Sequence, residues 1–600
     1  MYTASFLLCI FFGVMLKQVG TPGNYINLMM LALIIGGYIF TGLFAKTMLL
    51  PVFQNTERTG KAFYIGQSLA AGAISSTVFI FLAGDFYTSG TDALTLYSGL
   101  ILGLALMTIL FAASINRSKS PTLIGLIIPS DGSKLGRLLI LIIIVLASML
   151  LLYVQLAAIG LVSEAYFGIK KEISILLAGL TIGFCLIMGG MQSLSITRMM
   201  AYPILVITFL MPIIWVAYKI TGNPFPQLSF GAGALQAISE IDQELLNAGI
   251  VEQDDIFNIT RDGLNYDSFN YFSALLCIAF GTAAMPHLLQ HFRTLPKASN
   301  ARKTGIFGLG FLLIILTTIP AIAAFIKLDI YTSLLGLQLS GLEQDAGWLF
   351  EINKNGASVI SLCGAYATNA AQAISACGQS SEYFLSNNDI GLNPDMLLLS
   401  SAIINQLPSL MTTLLATGAL LAIWTTADGL IFVCSHVLSE DGYRSLIRPK
   451  APQGSRLFTS RAFLVGIIAL TIYLTFTIKL DPRFAFSASF ALITASLFPA
   501  LICKLWIKNL SQLEITLGIL SGFIITTSML WTSHFGVDLI ALNGNEYSFN
   551  LPMLTNEIKP LSMGLLGMIG CFVVTLIVAK VSKITRKTKD TNGIKADVPA

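Results

Sequence analysis

The stretch "WTTADGL", residues 424–430, sets two hydroxyls and a carboxylate, those of Thr425, Thr426 and Asp428, inside a long run that is otherwise uncharged. In hydrocarbon an unpaired charge costs about 3 kcal/mol on insertion scales, so Asp428 calls for a proton, a cation or a cationic side chain. Threonines in membrane helices commonly bond their own i−4 carbonyl, so the pair alone says little. His287 and His291 stand one helical turn apart, as a metal pair would, but a third ligand is missing. Arg293 and Lys297 follow at once, and the two histidines read as the solvated inner end of a helix. His436 and Glu440, also one turn apart, read as an interfacial helix end. No nucleophile with a base, no glycine-rich phosphate loop and no nucleic-acid patch stands out, so no enzyme is expected. The chemistry these residue types offer is the holding of an ion.

The elements that must position them are membrane helices. Of 600 residues 55% are hydrophobic and 11% charged, a composition that suits a chain threading lipid many times and excludes a soluble domain. Apolar runs of roughly 20 residues recur along the chain, each long enough to cross a bilayer as a helix. They predict about 14 crossings, with 407–439 holding Asp428. The net charge of +4 matters less than its placement. Basic residues cluster around Arg58, Arg117 to Arg137, Arg293 to Lys303, Arg444 to Arg461, Lys504 and Lys580 to Lys589, and these loops alternate with basic-poor ones. The basic set is therefore cytoplasmic and the long loops lie outside, Lys170 and Lys171 being a small exception. An integral multi-pass protein of a bacterial inner membrane is expected, its first 19 residues a retained helix. Six of the eight cysteines fall in apolar runs; Cys363 and Cys377 share the outer loop and could pair, though such neighbours are more often unpaired.

Two spans carry breakers near their middles: small residues crowd around Gly72 in 62–81, and Gly281 to Pro286 interrupt 277–292. Breaks of this kind are tolerated where the freed backbone lines a cavity, so a pair of them in corresponding positions points to a midplane site. An ordinary proline kink with small-residue packing explains them as well.

"GTAAMPHLLQHFRTLPKASNARKT" (281–304) closely resembles the acetate and monocarboxylate permease branch of the solute:sodium symporter family, and "TADGLIFVCSHVLSEDGY" (426–443) resembles that family's helix-eight signature. "GGMQSLSIT" (189–197), "TGNPFPQLSFG" (221–231) and Gln155 in "YVQLAAIG" agree, in order, over residues 62–507. The resemblance implies an all-α LeuT-like fold with two inverted repeats of five helices. Repeat one would span 62–219 and repeat two 271–507, within a core of 46–507, with outer loops at 220–270 and 327–395. Extra helices would lie at 1–45 and 508–584, and a cytoplasmic tail at 585–600. Both breaks then fall on the first helix of a repeat.

The resemblance also implies a sodium site of helix-one carbonyls, Ala71 and Ile74, with the Thr425 and Thr426 hydroxyls. The departures matter as much. Gly72 stands where relatives carry an Asp, Arg198 where they place Asp or Gln, and Asp428 where many have Ser, Thr or Ala. Asp428 lies about 16 Å from its cytoplasmic helix end, and Arg198 enters from the same side, so an Arg198–Asp428 pair is expected where some relatives hold a second sodium. The pair could be a fixed strut. Asp428 could instead titrate, taking Arg198 or sodium in turn; or Arg198 could snorkel to the cytoplasm, leaving Asp428 as a lone sodium ligand.

A carboxylate solute suits a broken helix, whose freed amides can bind an anion. Its expected lining, by position in the fold, is Gly72, Ser75, Ser76, Gln155, Gly281 and Thr282. The expected function is secondary transport of a small monocarboxylate such as acetate by cation symport, with sodium the coupling ion and no other cofactor. Proton-coupled or ion-independent carboxylate transport remains open, as does a transporter-like sensor that needs a signalling partner. The partners expected are a small anionic solute and the lipid bilayer, with no nucleic acid.

Overall fold

The computed structural model describes residues 2–54, 58–118, 120–129, 132–247, 268–354, 358–378, 382–507, 510–535 and 558–593. With no water in the hydrocarbon to satisfy N–H and C=O groups, each crossing must close its own backbone bonds, and the described chain is accordingly built of long apolar helices. Eleven are long and apolar enough to span, and a twelfth is the bent pair Ala62–Ala73 and Thr77–Ser89. The 51-residue helix Lys171–Thr221 is far too long for one crossing and reverses at Gly190, whose φ of 57° and ψ of −132° are non-helical. Counting its two arms and the 17-residue helix Tyr2–Gln18 separately brings the crossings among described residues to the number expected from the sequence.

The core runs twice through one sequence of elements. Core helices one to five are the bent pair, Leu94–Arg117, Lys134–Phe167, 171–189 and 191–221; core helices six to ten are Ser268–Thr294, Ala298–Leu334, Ser409–Ile447, Gln453–Thr477 and Pro482–Trp506. Helix one packs on seven and two on six, helices three and five pack on eight, and helix four meets nine through Gly179 and Gly183. Helix eight is the axis: its most apolar stretch is wholly buried. Gly23–Phe44 lies against helices five and eight, and Gln512–Phe535 pairs with Pro560–Gly593 beside helix ten.

Both breaks have local causes. Helix one stops at Ala73, Ile74 is extended, and the two halves meet at 57°. The Ser76 amide freed by the break donates to Gln155 Oε1 at 3.1 Å, and that of Thr77 to Ser75 Oγ at 3.2 Å. In helix six the chain turns extended at Met285, and Pro286, lacking an N–H, starts the second half.

Three expectations change. Helix seven continues eight residues past 326 to Leu334, so the outer loop begins later. That loop contains a two-stranded antiparallel sheet, 360–362 with 390–392, and Cys363 is disulfide-bonded to Cys377, contrary to the unpaired expectation: the sheet and the helix Ala370–Cys377 bring the two Cα atoms within 5.0 Å. The last helix runs to Gly593, well into the expected tail. Residues 248–267 of the 220–270 loop, most of the 533–560 connection and the end of the tail lie outside the described residues.

Lys450 and Asp345 are exposed on opposite ends of this bundle. A cysteine introduced as Lys450→Cys should react with an impermeant maleimide only from the cytoplasmic face, and one introduced as Asp345→Cys only from outside; reaction of both from one face would overturn the orientation.

Candidate functional site

Helix one is open where helix eight passes it. Thr425 Oγ1 lies 3.0 Å from Ala71 O and 2.9 Å from Ala422 O, either of which can take its one hydrogen, and Thr426 Oγ1 reaches Gly72 O at 3.3 Å and Ile74 O at 3.4 Å. Three main-chain carbonyls of the broken helix and two hydroxyls thus converge, all deeply buried. They are neutral hard oxygens, the donor type a sodium ion takes in place of water. The residues singled out on helix one, Ala71 and Ile74, are brought to the threonines because the break turns their carbonyls away from the helix ladder.

Asp428 is held next to this set by Arg198. The guanidinium donates from Nε at 3.0 Å and from Nη2 at 2.8 Å to one carboxylate oxygen, Oδ1, and neither residue has more than 1% of its surface exposed. Arg198 therefore does not snorkel to the cytoplasm. Its Nη1 lies 2.9 Å from His291 Nε2; since a guanidinium can only donate, that ring nitrogen accepts. The slot it occupies is made by two glycines. A Cβ at Gly72 would come within 2.2 Å of Nη1, and one at Gly429 within 2.0 Å of Nη2. Gly72 and Arg198 are thus coupled by volume: a side chain at 72 would need the space the guanidinium fills.

The two histidines are not at a solvated helix end. His291 is fully buried and His287 nearly so, because the break in helix six tucks its second half under helix one. His287 Nε2 lies 3.4 Å from Gly72 O, which can only accept, so His287 donates there while His291 accepts from Arg198. Sequence spacing marked the pair but misread its surroundings. His436 and Glu440 are likewise buried rather than interfacial. Glu440 is bound by Arg456 at 2.6 Å, Arg444 at 3.0 Å and Gln54 at 2.9 Å.

Between the broken helices lies a cavity of about 30 Å³, lined by Gly72, Ser75 and Thr282 of the expected residues, and also by Thr426, His287 and Phe490. That is about the volume of one water in the liquid, so the helices are closed around it. Ser76 and Gln155 bond each other at its edge. Gly281 is elsewhere: it packs against Phe490 and Thr494 of helix ten, where a Cβ would meet Phe490 Cδ1 at 2.8 Å. It is a packing glycine, not a lining residue. Phe486 and Phe490, one helical turn apart on helix ten, line the cavity without any sequence signal beyond ordinary apolar spacing.

Ion pairs close the outer end. Arg483 of helix ten bonds Asp85 of helix one at 2.5 Å and Asp395 of the outer loop at 2.6 Å, above the Phe81 ring. Toward the cytoplasm a cavity of about 330 Å³ reaches Gln290 on helix six and His436 on helix eight. The arrangement sets a cluster of neutral oxygens beside a closed midplane cavity, between an ion-paired outer end and a cavity toward the cytoplasm.

Residues 53–332 match the model of the sodium:solute symporter family. The chain is similar to an uncharacterized symporter of Cupriavidus necator, 23% identical over 665 aligned positions that cover 95% of this chain and 93% of that one. Its fold is similar to that of a Na+-coupled sialic acid symporter in a substrate-bound, outward-open state, with a TM-score of 0.65 at 14% identity over 92% of this chain and 97% of the other. The structural likeness bears out the LeuT-like fold.

Removing one partner of a buried ion pair leaves the other charge uncompensated, at about 3–5 kcal/mol, whereas removing both is often neutral. Asp428→Asn should therefore lower the thermal unfolding midpoint of the purified protein clearly, and the double variant Arg198→Met/Asp428→Asn should recover most of the loss. A double variant no more stable than the single one would show that the pair does not carry the stability of this region.

Proposed function

From the match of residues 53–332 to the sodium:solute symporter family, a family of membrane transporters, we propose that this chain imports a small monocarboxylate such as acetate by sodium symport with alternating access. The observation that carries the sodium reading is the convergence of the Ala71, Gly72 and Ile74 carbonyls with the Thr425 and Thr426 hydroxyls. In that site the ion would take over the oxygens that the two hydroxyls now bridge. Because the carbonyls belong to the unwound part of helix one, an ion bound there fixes the angle of the break. Helix one also carries Asp85, whose bond to Arg483 closes the outside, so ion occupancy and outer closure act on one element. That shared element couples the sodium gradient to the change of access.

The substrate reading rests on different grounds: the resemblance of residues 281–304 to the monocarboxylate branch. Ser75 and Thr282 supply hydroxyl donors to the central cavity, and Ser76 and Gln155 lie at its edge. Arg198 is not a substrate ligand in this reading, because Asp428 and His291 occupy it. It acts as a tethered cation, a fixed strut where some relatives hold a second sodium, so a single sodium would accompany each carboxylate. The inner membrane of a bacterium is the setting this function requires.

Labelled acetate uptake into proteoliposomes, with sodium and proton gradients imposed separately and cold carboxylates as competitors, tests the whole reading. Uptake should follow sodium with a Hill slope of one, and Thr425→Ala/Thr426→Ala should weaken sodium activation by about tenfold or more, the loss of two charge-binding oxygens at roughly 1–3 kcal/mol each. Uptake driven only by protons would overturn sodium coupling, and no uptake under any gradient would favour a sensor. The strut reading adds that Arg198→Met/Asp428→Asn keeps a Hill slope of one.

A further inference from the structure

The cytoplasmic cavity of about 330 Å³ has a charge imbalance that the transport site does not use. Its lining includes Arg58, Arg293 and His436, together with Gln54, Ser120 and Gln290, and among the described residues no carboxylate lines it. The nearest acids are already committed. Glu440 is bound by Arg456 and Arg444, and Asp441 Oδ1 by Arg137 at 2.6 Å and Thr122 at 2.9 Å; Asp441 Oδ2 has no partner among the described residues and its charge reaches Arg293 without forming an ion pair. Three arginines therefore serve those two acids, and Arg58 and Arg293 are left without a carboxylate partner among the described residues. Arg58 spends one N–H on Ser118 O at 3.0 Å. The Nε and Nη2 of Arg293 are buried and have no hydrogen-bond partner among the described residues. His436, nine-tenths buried, donates to Pro121 O through Nε2, and its Nδ1 has no partner among the described residues.

Two guanidiniums lining one pocket repel each other, and buried donors left unbonded are costly, each at about 1–3 kcal/mol. Both costs fall if an anion enters. A guanidinium fork matches a carboxylate through two parallel N–H···O bonds, and Gln54 and Gln290, each with one amide hydrogen bonded elsewhere, have a second to offer. The position fits a passage as well as a pocket. Gln290 lies on the second half of broken helix six, one turn beyond His287 of the central cavity, and Phe432 and His436 lie on helix eight below Thr426.

We propose that this cavity is a second anion site, centred on Arg293 and Arg58, in which a small carboxylate rests between the central cavity and the cytoplasm. It rests on the carboxylate reading of the transported solute. A solute held there slows its own release and, when abundant inside, opposes further uptake.

The test uses the wild-type full chain in inside-out vesicles and the arginine reagent phenylglyoxal, with modification of each arginine read by mass spectrometry. Choline acetate should slow modification of Arg293 by the factor 1 + [acetate]/Kd, about tenfold near saturation, while choline chloride at equal ionic strength should not. The exposed Arg448 should react at one rate throughout. Equal slowing by both salts, or none by acetate, overturns the site. The transport reading is tested separately. Protection without uptake under any gradient leaves the cavity standing and removes the carboxylate transporter; uptake without protection does the reverse. Arg293→Lys, which keeps the charge but loses the fork, should weaken the inhibition of uptake by internal acetate; inhibition as strong as in the wild type would count against the site.

Discussion

A polar group inside a bilayer finds no water, and that constraint organises the centre of this molecule around a single guanidinium. Arg198 is buried to the last atom, and every neighbour answers it: Asp428 supplies charge, His291 a lone pair, Gly72 and Gly429 the absence of side chains. These four partners come from helices one, six and eight, so Arg198 of helix five ties both repeats together at the midplane. Insertion of an isolated charge costs about 3 kcal/mol, enough that the surrounding helices are constrained to meet in this register.

The same constraint governs the breaks. Helix one can unwind at Ile74 only because the freed Ser76 amide finds Gln155 and the freed carbonyls find Thr425 and Thr426. Those hydroxyls and carbonyls are satisfied by each other, so the break is held closed by its own internal bonds. Outer closure through Arg483 ties helix ten to helix one, and the inner knot of Glu440 and Asp441 ties helix eight to helices three and nine.

Much of this was legible in the chain itself. Apolar length gave the crossings, and the breakers at Gly72 and Pro286 the two interrupted helices, because each is a local property of roughly 20 residues. The Arg198–Asp428 pairing was legible through cost: two charges at similar depth in hydrocarbon have few other partners. The histidines were misread for the opposite reason. Their i,i+4 spacing and basic followers describe a helix end equally well whether it meets water or is folded beneath another helix. Gly281 was assigned to the cavity by position in the fold, yet the face of a helix that meets Phe490 is decided only by how helix ten packs.

What the sequence by itself determined was the set of crossings, the unwound points and the need of Asp428 for a cation, since these follow from hydrophobicity, backbone valence and the cost of charge. The tertiary structure alone decided that His291 accepts from Arg198, that Gly72 is small to make room for a guanidinium, and that Cys363 meets Cys377. Each depends on a distance between segments far apart in the chain, or on a loop's path, and no local periodicity encodes such a distance. Which arginines keep a carboxylate and which are left over is likewise a property of the assembled surface, because pairing is settled by which side chains arrive within reach.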